Sequence, residues 1–306
     1  MTKQNLLNIF FVIFLVSDVL AQTEPGMEGK KIYPKKLEMF VVQEPEKDDL
    51  FSEVDSYIRF MPATGVDAQS GKVSIFESAL EYMYNYKLFG KIPLEFTLVG
   101  KTVNIDNTTV VELPAHLTTM SAGLNLTLPF FNYKNTYFRL SLTPQFLTDN
   151  WSAYTNSFHL GQQYILIYQF DEKLTLVGGV GYMPNYDASV YPIFGFIYKP
   201  NNKLTFNLVP ETPNINYAIN NKLSVFVEGN MTYEEYRVGR NGTRNTVLKY
   251  IESSAGVGLQ YEINKYITSS FSLGNVFERR LKYEDSLGKV NVNNGFYTEF
   301  RIEARI

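Results

Sequence analysis

Chemistry in a protein begins with groups that take up protons, attack electrophiles or bind metals, and this 306-residue chain holds few of them in workable arrangements. It has no cysteine and two histidines, which excludes a thiolate zinc site, a cysteine nucleophile and a disulfide scaffold. A serine activated by a histidine on the same strand needs a spacing of two, so that both side chains face one way. His116 is followed by Leu117-Thr118 and His159 by Leu160-Gly161, so the serine is missing both times. Two isolated histidines do not make a metal site. Asp48, Asp49 and Glu53 lack the spaced Asp-x-Asp-x-Asn-Gly loop of a calcium site and read as a solvated charge run. Gly178-Gly179-Val180-Gly181 sits in a strand-like pattern with no helix behind it. It therefore relieves crowding or permits a bend rather than cradling phosphate. The expectation is a protein that is not an enzyme and carries no metal or cofactor.

The charges that recur with a pattern do so at every second position. Glu77, Glu81 and Lys87 alternate with Phe76, Ser78, Leu80, Tyr82, Tyr84 and Tyr86. Glu95, Lys101 and Arg139 fall in segments of the same kind. Near the start Glu53, Asp55, Tyr57 and Arg59 share a parity, and at the end Glu299, Arg301, Glu303 and Arg305 do, against Phe296, Thr298, Phe300, Ile302, Ala304 and Ile306. Successive side chains of a strand point to opposite faces, so each segment has one apolar-aromatic face and one polar face. After the first residues no window shows apolar residues at i, i+3, i+4 and i+7, so no amphipathic helix is expected.

Length decides what kind of strands these are. Alternation runs over 72–86, 93–103, 117–130, 136–147, 158–170, 247–261, 265–277 and 295–306. Strands of soluble sandwiches have about 5–6 residues, and a membrane-crossing strand needs about 9–11. Short turn clusters (Phe89-Gly90-Lys91, Asp171-Glu172-Lys173, Asn220-Asn221-Lys222, Asn264-Lys265) alternate with longer connections, notably 233–246 and 278–294. That asymmetry marks a transmembrane barrel. The fold expected is all-β: a closed antiparallel up-and-down transmembrane β-barrel of about 14 strands. Twelve is the alternative, because Val209-Pro210-Glu211-Thr212-Pro213 is too short for an outer loop and strands 203–209 and 213–219 are brief. A secreted sandwich or lectin is the soluble alternative, suggested by glycosylation-type triplets at Asn107, Asn125, Asn150, Asn230 and Asn241.

The N-terminus reads as an address. A polar start with Lys3, an apolar run from Leu6 to Val16 and a small residue at Ala21 give the order of a signal peptide over 1–21, cleaved after Ala21. Residues 22–51, with Pro25, Pro34, Pro45 and a charged cluster at 44–49, read as an irregular extension, and 52–306 as the barrel. With 28 Lys+Arg against 31 Asp+Glu, the chain is not built to coat nucleic acid. With 45% hydrophobic side chains it is not disordered.

Several phrases carry a resemblance. They are Pro192-Ile-Phe-Gly-Phe-Ile-Tyr-Lys-Pro, Lys203-Leu-Thr-Phe-Asn-Leu-Val-Pro, Asn216-Tyr-Ala-Ile-Asn-Asn-Lys, Gly256-Val-Gly-Leu-Gln-Tyr-Glu-Ile-Asn-Lys and Asn275-Val-Phe-Glu-Arg-Arg. The chain resembles a family of bacterial outer-membrane β-barrels known only as a domain of unknown function. The resemblance implies the fold and the bacterial outer membrane, and no site residues.

Within such a barrel, Glu77, Glu81, Lys87, Glu95, Lys101 and Arg139 are expected to face the lumen. Glu53, Asp55 and Arg59 are expected to meet Glu299, Arg301, Glu303 and Arg305 across the closing seam. Two functions fit: a passive channel or transporter for small solutes, or a non-conducting structural or surface-binding barrel acting through its outer loops. The expected partners are outer-membrane lipid and small solutes, with no nucleic acid; the oligomeric state is open.

Overall fold

A computed structural model describes residues 52–89, 92–130, 133–149, 157–184, 189–210, 213–240, 243–284 and 288–305. The expected leader and N-terminal extension lie outside these residues. The strands are β1 (Ser52–Gly65), β2 (Lys72–Leu88), β3 (Ile92–Asn107), β4 (His116–Pro129), β5 (Thr136–Thr148), β6 (Phe158–Gln169), β7 (Leu174–Tyr182) and β8 (Val190–Tyr198). They continue with β9 (Leu204–Asn207), β10 (Asn214–Ala218), β11 (Leu223–Arg240), β12 (Thr243–Glu262), β13 (Ile267–Tyr283), β14 (Lys289–Val292) and β15 (Gly295–Arg305).

Each strand pairs antiparallel with its neighbour in sequence from β1 to β13, and β15 lies between β13 and β1. The sheet thus closes on itself. Short β14 pairs with residues 279–282 of β13 and runs on from β15 along the same strand, so the wall has 14 positions. One closed sheet is neither a sandwich nor a lectin fold. The seam register sets Glu53 opposite Arg305, Asp55 opposite Glu303, Tyr57 opposite Arg301 and Arg59 opposite Glu299.

Local chemistry fixes the register at one end. In four of the short turns a single Asp or Asn oxygen accepts two backbone N–H groups, two and three residues on. Asp171 takes Lys173 and Leu174, and Asn201 takes Lys203 and Leu204. Asn220 takes Lys222 and Leu223, and Asn264 takes Tyr266 and Ile267. Such side chains mimic a backbone turn and hold each hairpin in one of its two possible facings.

The outward faces form a belt of exposed apolar residues without ionised groups, including Leu80, Leu98, Leu124, Leu166, Leu176, Leu259, Leu273 and Ile302, with Tyr84, Tyr86, Tyr168, Tyr198 and Tyr261 at the short-turn edge. In water such a surface would aggregate; against hydrocarbon it is the required one, edged by rings that suit the interface. The chain is a membrane-spanning β-barrel. Among the described residues no helix is long and apolar enough to cross a membrane.

Two connections differ from expectation. Residues 233–246 are largely not a loop: β11 runs to Arg240 and β12 begins at Thr243. The alternation continues there, with Tyr236, Val238, Leu248 and Tyr250 turned inward and buried, so the strands project beyond the lipid instead of ending. Similarly β13 extends to Tyr283, and β14 occupies part of 278–294.

At that projecting end the wall narrows. The tip of β5 meets β11 directly, Thr148 beside Arg237 in a parallel bridge. Asp149 N–H donates to the Arg237 carbonyl at 3.3 Å, and Gly239 N–H to Asp149 Oδ2 at 2.9 Å. On the opposite side β14 reaches the tip of β1 through a Val66–Val292 bridge. Among the described residues the ring at that end therefore passes from β5 to β11, and β6 to β10 form a lobe of the wall below it.

Candidate functional site

The lumen has three levels, set by which inward side chains each strand supplies. At the long-loop end the narrowed ring is filled. Met61, Val73, Val103, Leu117, Val238, Leu248, Leu281 and Val290 are all fully buried, and with their neighbours they form one packed apolar plug.

Beneath the plug lies a deck of ionised and hydroxyl groups bonded across the lumen. Arg59 of β1 reaches past two strands to Glu252 of β12, Nη1 to Oε1 at 2.8 Å, while its Nη2 donates to Ser254 at 2.8 Å. Arg279 Nε donates to the other Glu252 oxygen at 3.0 Å and Tyr250 O–H to the same oxygen at 2.7 Å. Lys101 of β3 pairs with Glu234 of β11. Tyr236 donates to Glu234 at 2.6 Å and shares a 2.9 Å bond with Thr119 of β4. Tyr57 O–H donates to Glu77. Arg59 also stacks 4.0 Å above the Tyr297 ring. The Tyr297 side chain packs against β12 and β13, where a Cβ on Gly256 would come within 2.3 Å of its hydroxyl oxygen and one on Gly274 within 2.2 Å of its ring. Three cations (Arg59, Lys101, Arg279) face three carboxylates (Glu77, Glu234, Glu252). That balance is needed because an uncompensated buried charge is costly.

Towards the short turns the interior is polar and partly exposed. Arg139 Nη2 meets Glu95 Oε1 at 3.2 Å, and Asn125 donates to Glu95 at 2.7 Å. Asn125 is thus turned inward, where a glycan has no room. Glu81 and Lys87 face this vestibule, half-buried. At the seam Arg301 bridges Asp55 at 3.4 Å and Glu299 at 2.9 Å, and Arg305 lies 3.8 Å from Glu53. Glu303 faces inward opposite Asp55. The structure therefore brings together Glu95 with Arg139 and, at the seam, Arg301 with Asp55 and Glu299 and Arg305 with Glu53; Arg59, expected at the seam, instead reaches across the lumen to Glu252. Glu77 and Lys101 enter the deck with partners that the sequence reading does not name.

Those partners, Glu234, Glu252, Arg279 and Tyr236, carried one usable signal. Each shares inward parity with its strand's buried residues, but Glu234 and Tyr236 lay in one supposed loop (233–246) and Arg279 in another (278–294). The lobe holds a second surprise: Ile165, Ile167, Val177, Ile193, Ile197 and Val209 make an apolar cluster on its inner face. The glycine run packs there. A Cβ on Gly179 would sit 2.3 Å from the Tyr164 carbonyl oxygen, and one on Gly181 2.2 Å from the Tyr191 ring. His116 is exposed at the start of β4 and His159 half-buried on β6, within electrostatic reach of Arg237. Beside them, burial pushes the Asp149 carboxyl upward, with the Gly239 N–H pulling the other way. Among the described residues no three His, Asp or Glu side chains converge to hold a metal.

Residues 99–304 match the family model described as a domain of unknown function (DUF6268). No curated protein matches the sequence. Among solved structures, the COG4313 outer membrane channel from Pseudomonas putida F1 is similar at 12% identity and TM-score 0.47, over 86% of this chain and 100% of that one. The translocator domain of autotransporter NalP from Neisseria meningitidis is similar at 10% identity and TM-score 0.36, over 96% and 93%. The NanC porin is similar at 9% identity and TM-score 0.39, over 83% and 98%.

Proposed function

Because the chain belongs to the DUF6268 family, a domain of unknown function, it inherits no activity, and we propose one from its geometry: an outer-membrane barrel closed to diffusion along its axis at rest. The observation that carries this reading is the deck lying directly beneath a packed plug. An ion moving along the axis would have to separate Arg59 from Glu252 and Lys101 from Glu234 and then cross the layer of fully buried Met61, Val73, Val103, Leu117, Val238, Leu248, Leu281 and Val290, where an ion is costly. In this reading the seam residues Glu53, Asp55, Glu299, Arg301, Glu303 and Arg305 lock the wall, and Arg59 ties the first strand to the deck through Glu252. The vestibule residues Glu81, Lys87, Glu95 and Arg139 solvate the open end. Export through a leader cut after Ala21 and contact with outer-membrane lipid belong to the same proposal; N-terminal sequencing of the mature protein, starting at Gln22, tests the cut.

The test of closure is single-channel recording on protein refolded into planar bilayers. The expected trace is silent at modest voltage; steady ohmic steps of porin size overturn the reading. A small-solute channel is the second reading, favoured by the half-exposed polar vestibule on the short-turn side. It predicts voltage- or ligand-dependent opening from a silent baseline.

A further inference from the structure

Between the apolar belt and the projecting rim, the outer wall carries a notch at β13. Inward parity holds at Val276 and again at Arg279, 1% and 3% exposed, so the two residues between them, Phe277 and Glu278, both point outward. They form a bulge opposite Ser253 and Ser254 of β12. On its other side the pairing of β13 is interrupted: Val276 pairs with Gly295 and Arg279 with Val292, and the residues between belong to neither ladder. Around that break lies a cavity of about 560 Å³, lined chiefly by Asp67, Phe277, Glu278, Arg280, Asn291 and Asn293. Asp67 N–H donates to the Asn291 carbonyl and Asn293 N–H to the Gly65 carbonyl, both at 2.9 Å, which ties the tip of β1 to β14 as the far wall.

The notch sits where the hydrocarbon ends. Counting about ten residues up β13 from Ile267, or back along β15 from Arg305, reaches Phe277 and Gly295, the length that crosses a bilayer. Below that height the outward residues of the two strands, among them Phe271, Leu273, Phe300 and Ile302, carry no charge. The first ionised one on β13 is Glu278, bonded to Arg280 at 2.7 Å. Phe277 and Phe296, 45% and 72% exposed, form the lower lip. Three polar atoms here are buried with no partner among the described residues. Arg280 Nε and Asn291 Oδ1 belong to residues paired across the β13–β14 ladder, and Asn275 Oδ1 lies on the outward step below. Buried polar groups are nearly always bonded, so an unpaired donor and acceptor beside a polar cavity point to a ligand that supplies both.

We propose that the notch holds the saccharide headgroup of a glycolipid in the leaflet on the long-loop side, with the acyl chains lying on the belt below Phe277 and Phe296. The class of ligand follows from the lining. Guanidinium and carboxamide N–H groups donate, while carboxamide oxygens and the Asp67 and Glu278 carboxylates accept. Sugar hydroxyls donate and accept at once and match such a mixture. A bare anion would call for donors alone. A metal ion would call for converging ligands, and among the described residues no three His, Asp or Glu side chains converge. The volume lies within the range of about 300–1,000 Å³ typical of ligand sites, and the apolar lip keeps the tails of an amphipathic ligand in lipid. The proposal rests on the belt's placement in a bilayer and not on whether the axis conducts.

The chain has no cysteine, so single thiols report cleanly. Thr298 faces outward on β15 just below Phe296, and Leu98 faces outward on β3 at a like distance from its own short turn. Thr298→Cys and Leu98→Cys proteins, scored as folded by heat-modifiable migration, are labelled with bimane and reconstituted in phosphatidylcholine vesicles containing digalactosyldiacylglycerol brominated in its acyl chains. Quenching by this lipid relative to brominated phosphatidylcholine gives the relative affinity beside each label. The expected preference is about tenfold at 298, the order supplied by one or two hydrogen bonds, with none at 98. Arg280→Met and Asn291→Ala, made separately in the Thr298→Cys protein, should each remove most of that preference while the folded fraction holds. Equal quenching ratios at the two labels, or a preference at 298 that both variants leave unchanged, overturn the proposal. So does an equal preference for brominated phosphatidylglycerol, which would assign the notch to anionic headgroups instead of sugars.

Discussion

Glu252 is the carboxylate on which the deck turns, and replacing it with Gln isolates its charge at almost constant shape. The side chain is 1% exposed and holds Arg59 at 2.8 Å and Arg279 at 3.0 Å. Two unit charges about 3 Å apart interact by roughly 5 kcal/mol at an effective dielectric of about 20, and the amide keeps only part of the hydrogen bonding. The two arginines, both nearly fully buried, are left facing each other across a neutral group. Breaking a buried pair on one side costs about 3–5 kcal/mol, and that is the loss expected for Glu252→Gln. The assay is urea unfolding in lipid vesicles, followed by the fraction of heat-modifiable band. With a slope of about 2–3 kcal/mol per molar urea, the midpoint falls by about 1–2 M. Changing Arg59, Glu252 and Arg279 together to Met, with Glu77→Gln to keep one cation against one carboxylate (Lys101 and Glu234), should recover most of the loss, since that replacement leaves no orphaned charge. A penalty below about 1 kcal/mol for Glu252→Gln, the value of an exposed pair, would refute the claim that the deck is dry and charge-balanced.

Arg301→Glu puts a third carboxylate between Asp55 and Glu299, so resistance to urea should fall by about 1–3 kcal/mol with little change in conductance; the reverse outcome favours a selectivity lining. Gly179→Ala drives a methyl against the Tyr164 carbonyl oxygen, and a loss of about 1–3 kcal/mol should appear as a lower folded fraction on refolding. Asp149→Asn keeps the acceptor for Gly239 N–H and removes a carboxyl whose pKa burial raises. A raised acid binds its proton more tightly in the folded state, so the native protein loses stability as pH climbs through the carboxylate range. The variant should match the native protein at low pH and gain on it above that range, read as urea midpoints across a pH series.

How much of this was legible varies with distance along the chain. Alternation such as Phe76-Glu77-Ser78 gave each strand its two faces, because facing is a local property of extended backbone. The turn residues Asp171, Asn201, Asn220 and Asn264 marked hairpins for the same reason. That acids and bases of the first and last strands meet followed from pairing them once closure was assumed; which residue faces which did not, and the register sets Asp55 opposite Glu303. What the sequence hid is what spans the lumen. Lys101 and Glu234 are 133 residues apart, and no periodicity links them. The lobe was half visible: Val209 to Pro213 looked wrong for an outer loop, and the strands on either side of it have only four and five residues. The plug was missed where apolar residues such as Ile75 and Val103 sit at inward parity among charges, a mixture that pattern alone reads as a wet interior.

The narrowing at Thr148 and Arg237 has a topological consequence. A meander reverses direction at every step, so a ring with an even number of members can alternate throughout, whereas dropping the odd set β6 to β10 leaves two neighbours heading the same way. That like-directed contact is one bridge long, far weaker than the ladders on either side of it. Under mechanical or thermal stress the collar should therefore part there first, merging the lobe with the space above while the remainder of the cylinder keeps its form.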